Sequence, residues 1–254
     1  MAGKKRSVAH QLYPETNAGG FSRIDQRVNF YVRVAALLED DHVVVDFGAG
    51  RDKFEGKERG FKRFLTRSPS RVGKLIAVDV DPAVMTHPYA DEKYVIDETG
   101  RLPLPDESVD VIVAYAVFEH IENPKQAIRE MERVLKPGGW ICAWTPNKWS
   151  YQAIGARIVP NRFHARVLDY VGKGMREDED VFPTFYRMNT LGDLKRLFPR
   201  SRFNNYSFCL NGGGGYNFGQ VWMGRVWQFW NWMMPPNLRQ FVHVFVQKQP
   251  QTTN

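Results

Sequence analysis

Residues Val43-Val44-Val45-Asp46-Phe47-Gly48-Ala49-Gly50 decide the fold. Three β-branched residues in succession suit a strand buried on both faces. The Asp-x-Gly-x-Gly that follows is a turn in which glycine lets the backbone come close to a ligand. Working outward, Leu75-Ile76-Ala77-Val78-Asp79 reads as a second strand ending in a carboxylate. An acid at the tip of the second strand of a βαβ unit can accept both hydroxyls of a ribose. The two stretches together describe a site for an adenosine-type cofactor. A nicotinamide site would need Gly-x-Gly-x-x-Gly, and Lys53 stands where the third glycine belongs. A Walker phosphate loop is absent as well.

The next hundred residues sharpen the choice of cofactor. Leu102-Pro103-Leu104-Pro105-Asp106-Glu107-Ser108-Val109-Asp110-Val111-Ile112-Val113 leads into a fourth strand, and Ala116-Val117-Phe118-Glu119-His120-Ile121 follows it. Arg133-Val134-Leu135-Lys136-Pro137-Gly138-Gly139 closes a helix ahead of a fifth strand. In this order, from Val43 to Trp144, the motifs resemble the class I S-adenosylmethionine (SAM) methyltransferases, and Phe118-Glu119-His120 their quinone-methylase-like branch. Thr145-Pro146-Asn147 and Asp180-Val181-Phe182-Pro183-Thr184-Phe185-Tyr186-Arg187 look, more weakly, like bacterial glycan-associated methyltransferases. The resemblance implies an α/β, Rossmann-like, doubly wound sheet of seven mostly parallel strands. Its implied order is 3-2-1-4-5-7-6, with the last strand antiparallel.

The coarse reading fits that outline. It puts a helical arm over 28–38 and strands at 43–47, 74–79, 94–97, 109–114 and 140–145. A basic helix is predicted over 58–67, a short helix after Pro82, and another from Pro124 to Leu135, opened by Asn123-Pro124. A helix near 191–198, a strand at 203–209 and a terminal strand at 241–247 complete it. One domain over 1–254 is expected, with an arm over 1–40, an insertion or substrate lid over 147–189, and a tryptophan-rich insertion over 211–237. A hydrophobic content of 43% supports a substantial core. Cys142 and Cys209 sit in apolar runs and read as reduced core thiols, not a disulfide framework. With no signal-peptide core in 1–11 and no run long enough to cross a membrane, a cytoplasmic location is expected.

In the cofactor site, the resemblance assigns Asp46, Gly48, Ala49 and Gly50 to the turn under the methionine, and Asp79 to the ribose. Val80 would pack on one adenine face, and Asp97 or Glu98 would meet the adenine amino group. Tyr115 either lines the methyl side of the pocket or packs. A methyl transfer to a hydroxyl also needs a base, and His120, just after the fourth strand, is the candidate. Its alternative is a structural histidine beneath the cofactor. No metal is expected, since neither zinc spacing nor a catechol-type acid set is present. The Asn/Asp-Pro-Pro-Tyr motif and a Pro-Cys nucleophile are missing too, which argues against base methylation in nucleic acid.

Three segments remain to choose the acceptor. In the arm, Arg23 is placed to meet the SAM carboxylate or simply to sit on the surface. In the insertion, His164, Tyr186 and Arg187 are candidate substrate residues. Gln220 to Met234 carries four of the seven tryptophans. On a helical wheel Trp222, Val226, Phe229, Trp230 and Met233 share one face, and Gly224, Gln228 and Asn231 lie opposite. Such a helix either packs on the sheet or a partner subunit, or seats peripherally on the inner membrane face. The net charge of +7 has a local source, nine basic and three acidic residues over 51–74. Few aromatics accompany it, so a nucleic-acid partner is not expected. The sequence thus implies a SAM-dependent methyltransferase acting on oxygen of a small molecule or a sugar or lipid-linked glycan. A quinone-type C-methyltransferase, an RNA methyltransferase and a non-catalytic SAM-binding adaptor are the alternatives.

Overall fold

The computed structural model describes residues 8–51, 64–65, 67–150, 153–154, 183–213 and 219–250. Most of the basic helix predicted over 58–67 and most of the 147–189 insertion, His164 included, lie outside them. Among the described residues eight strands form one sheet: β1 (Val43–Phe47), β2 (Lys74–Asp79), β3 (Glu92–Val95), β4 (Val109–Tyr115), β5 (Leu135–Pro146), β6 (Phe203–Asn205), β7 (Phe208–Leu210) and β8 (Phe241–Lys248). The helices are α1 (Val8–Leu12), α2 (Gln26–Leu37), α3 (Pro124–Val134), α4 (Leu191–Leu197) and α5 (Val221–Met233).

The sheet runs β3-β2-β1-β4-β5-β8-β6, and β7 also pairs with β8. β1 to β5 are parallel, and β8 is antiparallel to its neighbours. This is the expected order, with the predicted strand 203–209 divided in two. The Asn205 side chain accepts from Ser207 N at 3.0 Å and Tyr206 N donates to Phe245 O, so a local turn interrupts the ladder. β3 begins and ends two residues earlier than its sequence reading, at Val95 opposite Asp79. Asp97 then bends the chain through its own side chain, accepting from Thr99 N at 3.0 Å. β5 starts at Leu135, opposite Val109, and reaches Trp140, opposite Val111, through an irregularity that includes Gly138 at φ +83°. The Lys-Pro-Gly-Gly stretch therefore belongs to the strand as much as to the helix end.

Val44, Val45, Val111, Ile112, Val113 and Ala114 are buried, as a sheet covered on both faces requires. Ile112 and Ala114 pack with Ile128 and Met131 of α3 and Leu194 of α4, while Val111 and Val113 pack with Phe30, Tyr31 and Val34 of α2. Caps fix where the helices begin. The Asp25 carboxylate accepts from Val28 N, and Asn123 Oδ1 accepts from Gln126 N ahead of Pro124. β7 and β8 form a hairpin whose pairing ends at Leu210 opposite Phe241. Everything from 211 to 240, α5 included, is the loop of that hairpin.

Candidate active site

The glycine turn is stitched to the tip of β2. Gly48 N and Ala49 N donate to Val78 O at 2.8 and 3.2 Å, and Gly50 N donates to Asp79 Oδ2 at 2.8 Å. The other carboxylate oxygen of Asp79 accepts from Asp81 N at 2.9 Å. Asp79 is buried, and two backbone amides hold its orientation. Asp46, half-buried in β1, stands between Ala77 of β2 and Val113 of β4. Ala49 packs with Ala77 and Val84. Gly48 has φ +75°, and a Cβ there would meet Val117 Cγ2 at 2.4 Å. The residue that Gly48 admits is thus Val117, from the segment after β4, a reason its motif did not reveal. Val80 is exposed beside Asp79, and Ile96 N donates to Asp79 O at 2.7 Å. Asp97 and Glu98, just beyond, are both exposed.

Tyr115 is packed among aromatic rings. Its ring stacks on Trp144 with centroids 4.7 Å apart, and Tyr31 lies on it at 5.7 Å. Trp144 continues the stack onto Phe241 at 4.6 Å. Burial pushes the Tyr115 hydroxyl pKa up, against the opposing charge of Arg27, whose guanidinium lies over the ring.

A second cluster forms where the segment after β4 meets residues 183–190. Phe185 N and Tyr186 N both donate to Glu119 O, at 2.8 and 3.2 Å. Tyr186 makes this turn with φ +52°, a left-handed conformation rare for a tyrosine. His120 Nδ1 lies 2.9 Å from Pro183 O. A carbonyl only accepts, so Nδ1 carries the hydrogen, and the lone pair of the neutral ring falls on Nε2. Nε2 lies 4.0 Å from Glu119 Oε1. The Glu119 carboxylate is buried and accepts from Thr145 Oγ1 at 2.7 Å, and Thr145 Oγ1 accepts from Asn189 Nδ2 at 2.6 Å. Asn147, two residues on, donates from Nδ2 to Asn237 O and Arg239 O, both at 2.9 Å. Thr145, Asn147 and Asn189 were not chosen as site residues from the sequence. For Thr145 the signal available was a polar residue closing the apolar strand 140–145; Asn147 and Asn189 carried none.

The other candidates are spread out. Arg23 is exposed on the arm, 3.9 Å from Glu15. Arg187 donates to Glu122 O and lies over the Phe185 ring, so with Tyr186 it borders the His120 cluster. Among the described residues, one trio brings possible metal-ligand atoms together: Glu39, Asp41 and His42. It precedes β1, at the opposite end of the strand from the glycine turn.

Residues 59–143 match the family profile described as a methyltransferase domain. Over that third of the chain the sequence is similar to the methyltransferase domain family. The profile takes in Asp79, Val80, Asp97, Tyr115 and His120, while Asp46 to Gly50 precede it and Thr145 and Asn189 follow it. A probable S-adenosylmethionine-dependent methyltransferase of Mycolicibacterium smegmatis is 38% identical over 125 residues, 48% of this chain and 48% of that one. A malonyl-[acyl-carrier protein] O-methyltransferase of Coxiella burnetii is 36% identical over 49% of this chain and 38% of its own. The matched part thus spans about half or less of these curated relatives. In fold, the chain is similar to a SAM-dependent methyltransferase of Methanosarcina mazei, at 17% identity and TM-score 0.52, over 86% of this chain and 98% of that one. It is also similar to the Haemonchus contortus phosphoethanolamine N-methyltransferase 1, at 15% identity and TM-score 0.51, over 99% of this chain and 47% of that one.

Proposed function

We propose that this chain is a SAM-dependent methyltransferase acting on oxygen of a small molecule or of a sugar or lipid-linked glycan. The observation that carries the cofactor half is Asp79. Two amides orient its buried carboxylate, yet each oxygen keeps a further lone pair, as a ribose diol requires. Exposed Val80 offers the adjoining apolar surface for a purine, and Asp97 keeps one carboxylate oxygen beyond its turn. The donor set fits the cofactor. When bound, SAM supplies a methyl group already activated on a sulfonium.

What remains for the protein is alignment and a proton. His120, with its hydrogen held on Nδ1 by Pro183 O, presents a basic Nε2 that would take the proton of an acceptor hydroxyl. Glu119, fixed by Thr145, would stabilise the resulting imidazolium. Tyr186 and Arg187 would border the acceptor. The O-methyltransferase relative supports this reading. A quinone-type C-methylation is the second reading, favoured by a relative named as the ubiquinone/menaquinone biosynthesis C-methyltransferase of Hahella chejuensis, 32% identical over 88 residues.

The test is calorimetric titration with SAM and S-adenosylhomocysteine on the wild type and Asp79→Ala. Tight binding that the substitution weakens by about tenfold or more, equivalent to roughly 1.4 kcal/mol, is the expected result. A wild type that binds neither compound overturns the proposal. Label transfer from methyl-labelled SAM to hydroxyl, glycan and quinone acceptors then separates the two readings.

A further inference from the structure

α5 is mounted inside out. Its small and polar residues face the protein: Gly224 is buried, and a Cβ there would meet Leu12 Cδ1 at 2.1 Å. Gln228 Nε2 donates to Leu12 O at 3.0 Å, and Asn231 Oδ1 accepts from Gln240 Nε2 at 2.9 Å. Asn231 O accepts from Asn211 Nδ2 at 2.7 Å. The opposite face presents Trp222 at 64% exposure, Phe229 at 61%, Trp232 at 79% and Met233 at 55%, with Val226 and Trp230 between them. Ordinary surface helices turn such a stripe toward the core. Contiguous aromatic exposure on this scale marks an interaction surface.

The charge around α5 indicates what covers it. Its one charged side chain is Arg225, which is exposed. The whole excursion over 211–240 contains no aspartate or glutamate, and its charged residues are Arg225 and Arg239. α1, which packs on α5, brings no carboxylate to it. A tryptophan-rich face flanked by cations and without acids in its own segment complements an anionic lipid surface. A second copy docked face to face would instead bring Arg225 toward like charge, with no carboxylate from the same segment to pair it. Thirteen residues rise about 20 Å, too short to cross a bilayer, and no helix among the described residues is long and apolar enough to do so. On such a surface the helix would lie in the interfacial plane.

We infer that the exposed face of α5, Trp222 to Met233, is a docking site for an anionic membrane surface. The inference stands whether or not the chain transfers methyl groups. The full chain is sedimented with phosphatidylcholine vesicles and with vesicles containing added phosphatidylglycerol, alongside the triple variant Trp222→Ser, Phe229→Ser, Trp232→Ser and the single variant Arg225→Glu. The wild type is expected to pellet with the anionic vesicles, with its tryptophan emission shifted to the blue, and to be released by salt. The triple variant is expected to bind about tenfold or more weakly, because three large side chains no longer enter the interface, and Arg225→Glu to bind more weakly than wild type. Circular dichroism checks that the variants fold; Arg225→Glu changes an exposed side chain and stands as the test if the triple variant does not. Equal binding to neutral vesicles, no binding at low salt, or unchanged binding by a folded variant overturns the inference. So does a wild-type dimer that the triple variant abolishes in the absence of lipid.

Discussion

α3 and α5 are both amphipathic surface helices, and they are seated in opposite senses. α3 turns Ile128, Met131 and Val134 into the core and leaves its charged residues outside, where Arg133 donates to Glu130, Asp106 and the carbonyls of Leu102 and Leu104. α5 turns Gly224, Gln228 and Asn231 inward and leaves its aromatic residues outside. Apolar periodicity announces a stripe in both cases, but it does not say which side the protein occupies. For α5 the decision lies with partners distant in sequence. Leu12, Asn211 and Gln240 offer polar contacts and a close approach, and only its polar face can use them.

Unfolding experiments can break this comparison. The largest effect is expected for Met131→Ala on α3, where a fully buried side chain leaves a cavity and costs about 2–5 kcal/mol; a denaturant midpoint that barely moves would mean α3 is not core. Next comes His243, a polar group inside the core. Burial and the charge of Arg33 push its imidazole pKa down to about 3 from an ordinary 6.5. It stays neutral when folded but takes a proton when unfolded, so its share of stability is whole above pH 6.5. That share is lost as pH falls toward 3, by at most about 1.4 kcal/mol per pH unit. Comparing unfolding at pH 7 and pH 5 should reveal this slope, and His243→Gln should flatten it.

Gln228→Ala removes the hydrogen bond to Leu12 O and should cost about 1 kcal/mol, seen as earlier hydrogen exchange in α1. Trp232→Ala should be the mildest, within about 0.5 kcal/mol. A loss there as large as that of Met131→Ala would show that the aromatic face of α5 is buried.

Much of the sheet could be read directly. Strands β1, β2 and β4 carry their β-branched runs within a few consecutive residues, and Asn123 and Pro124 mark a helix start by local chemistry. The tips of strands were harder. Whether β3 stops at Val95 depends on pairing with Asp79, and the break at Tyr206 depends on an asparagine bonding two residues ahead. Asp79 was legible because one strand carries the whole signal. The His120 cluster was legible only in part. Glu119, Thr145 and Asn189 come from three separate segments, and nothing in any one of them announces the other two. Tyr115 illustrates the same limit, since nothing near it in sequence announces the rings of Trp144 and Tyr31 that stack on it.

The hairpin that carries α5 has a consequence for how this chain can be altered. Its loop leaves the sheet at Leu210 and returns at Phe241, two residues that face each other across one rung. Gly212 N donates to Gln240 Oε1 at 2.9 Å, so the two ends of the excursion already touch. Closing such a gap with a tight turn requires no strand to move, and shortening a loop lowers rather than raises the entropy of closure that must be overcome. The aromatic helix is in that sense a detachable module. Excising it, or exchanging it for another segment, is expected to leave the eight strands in their order.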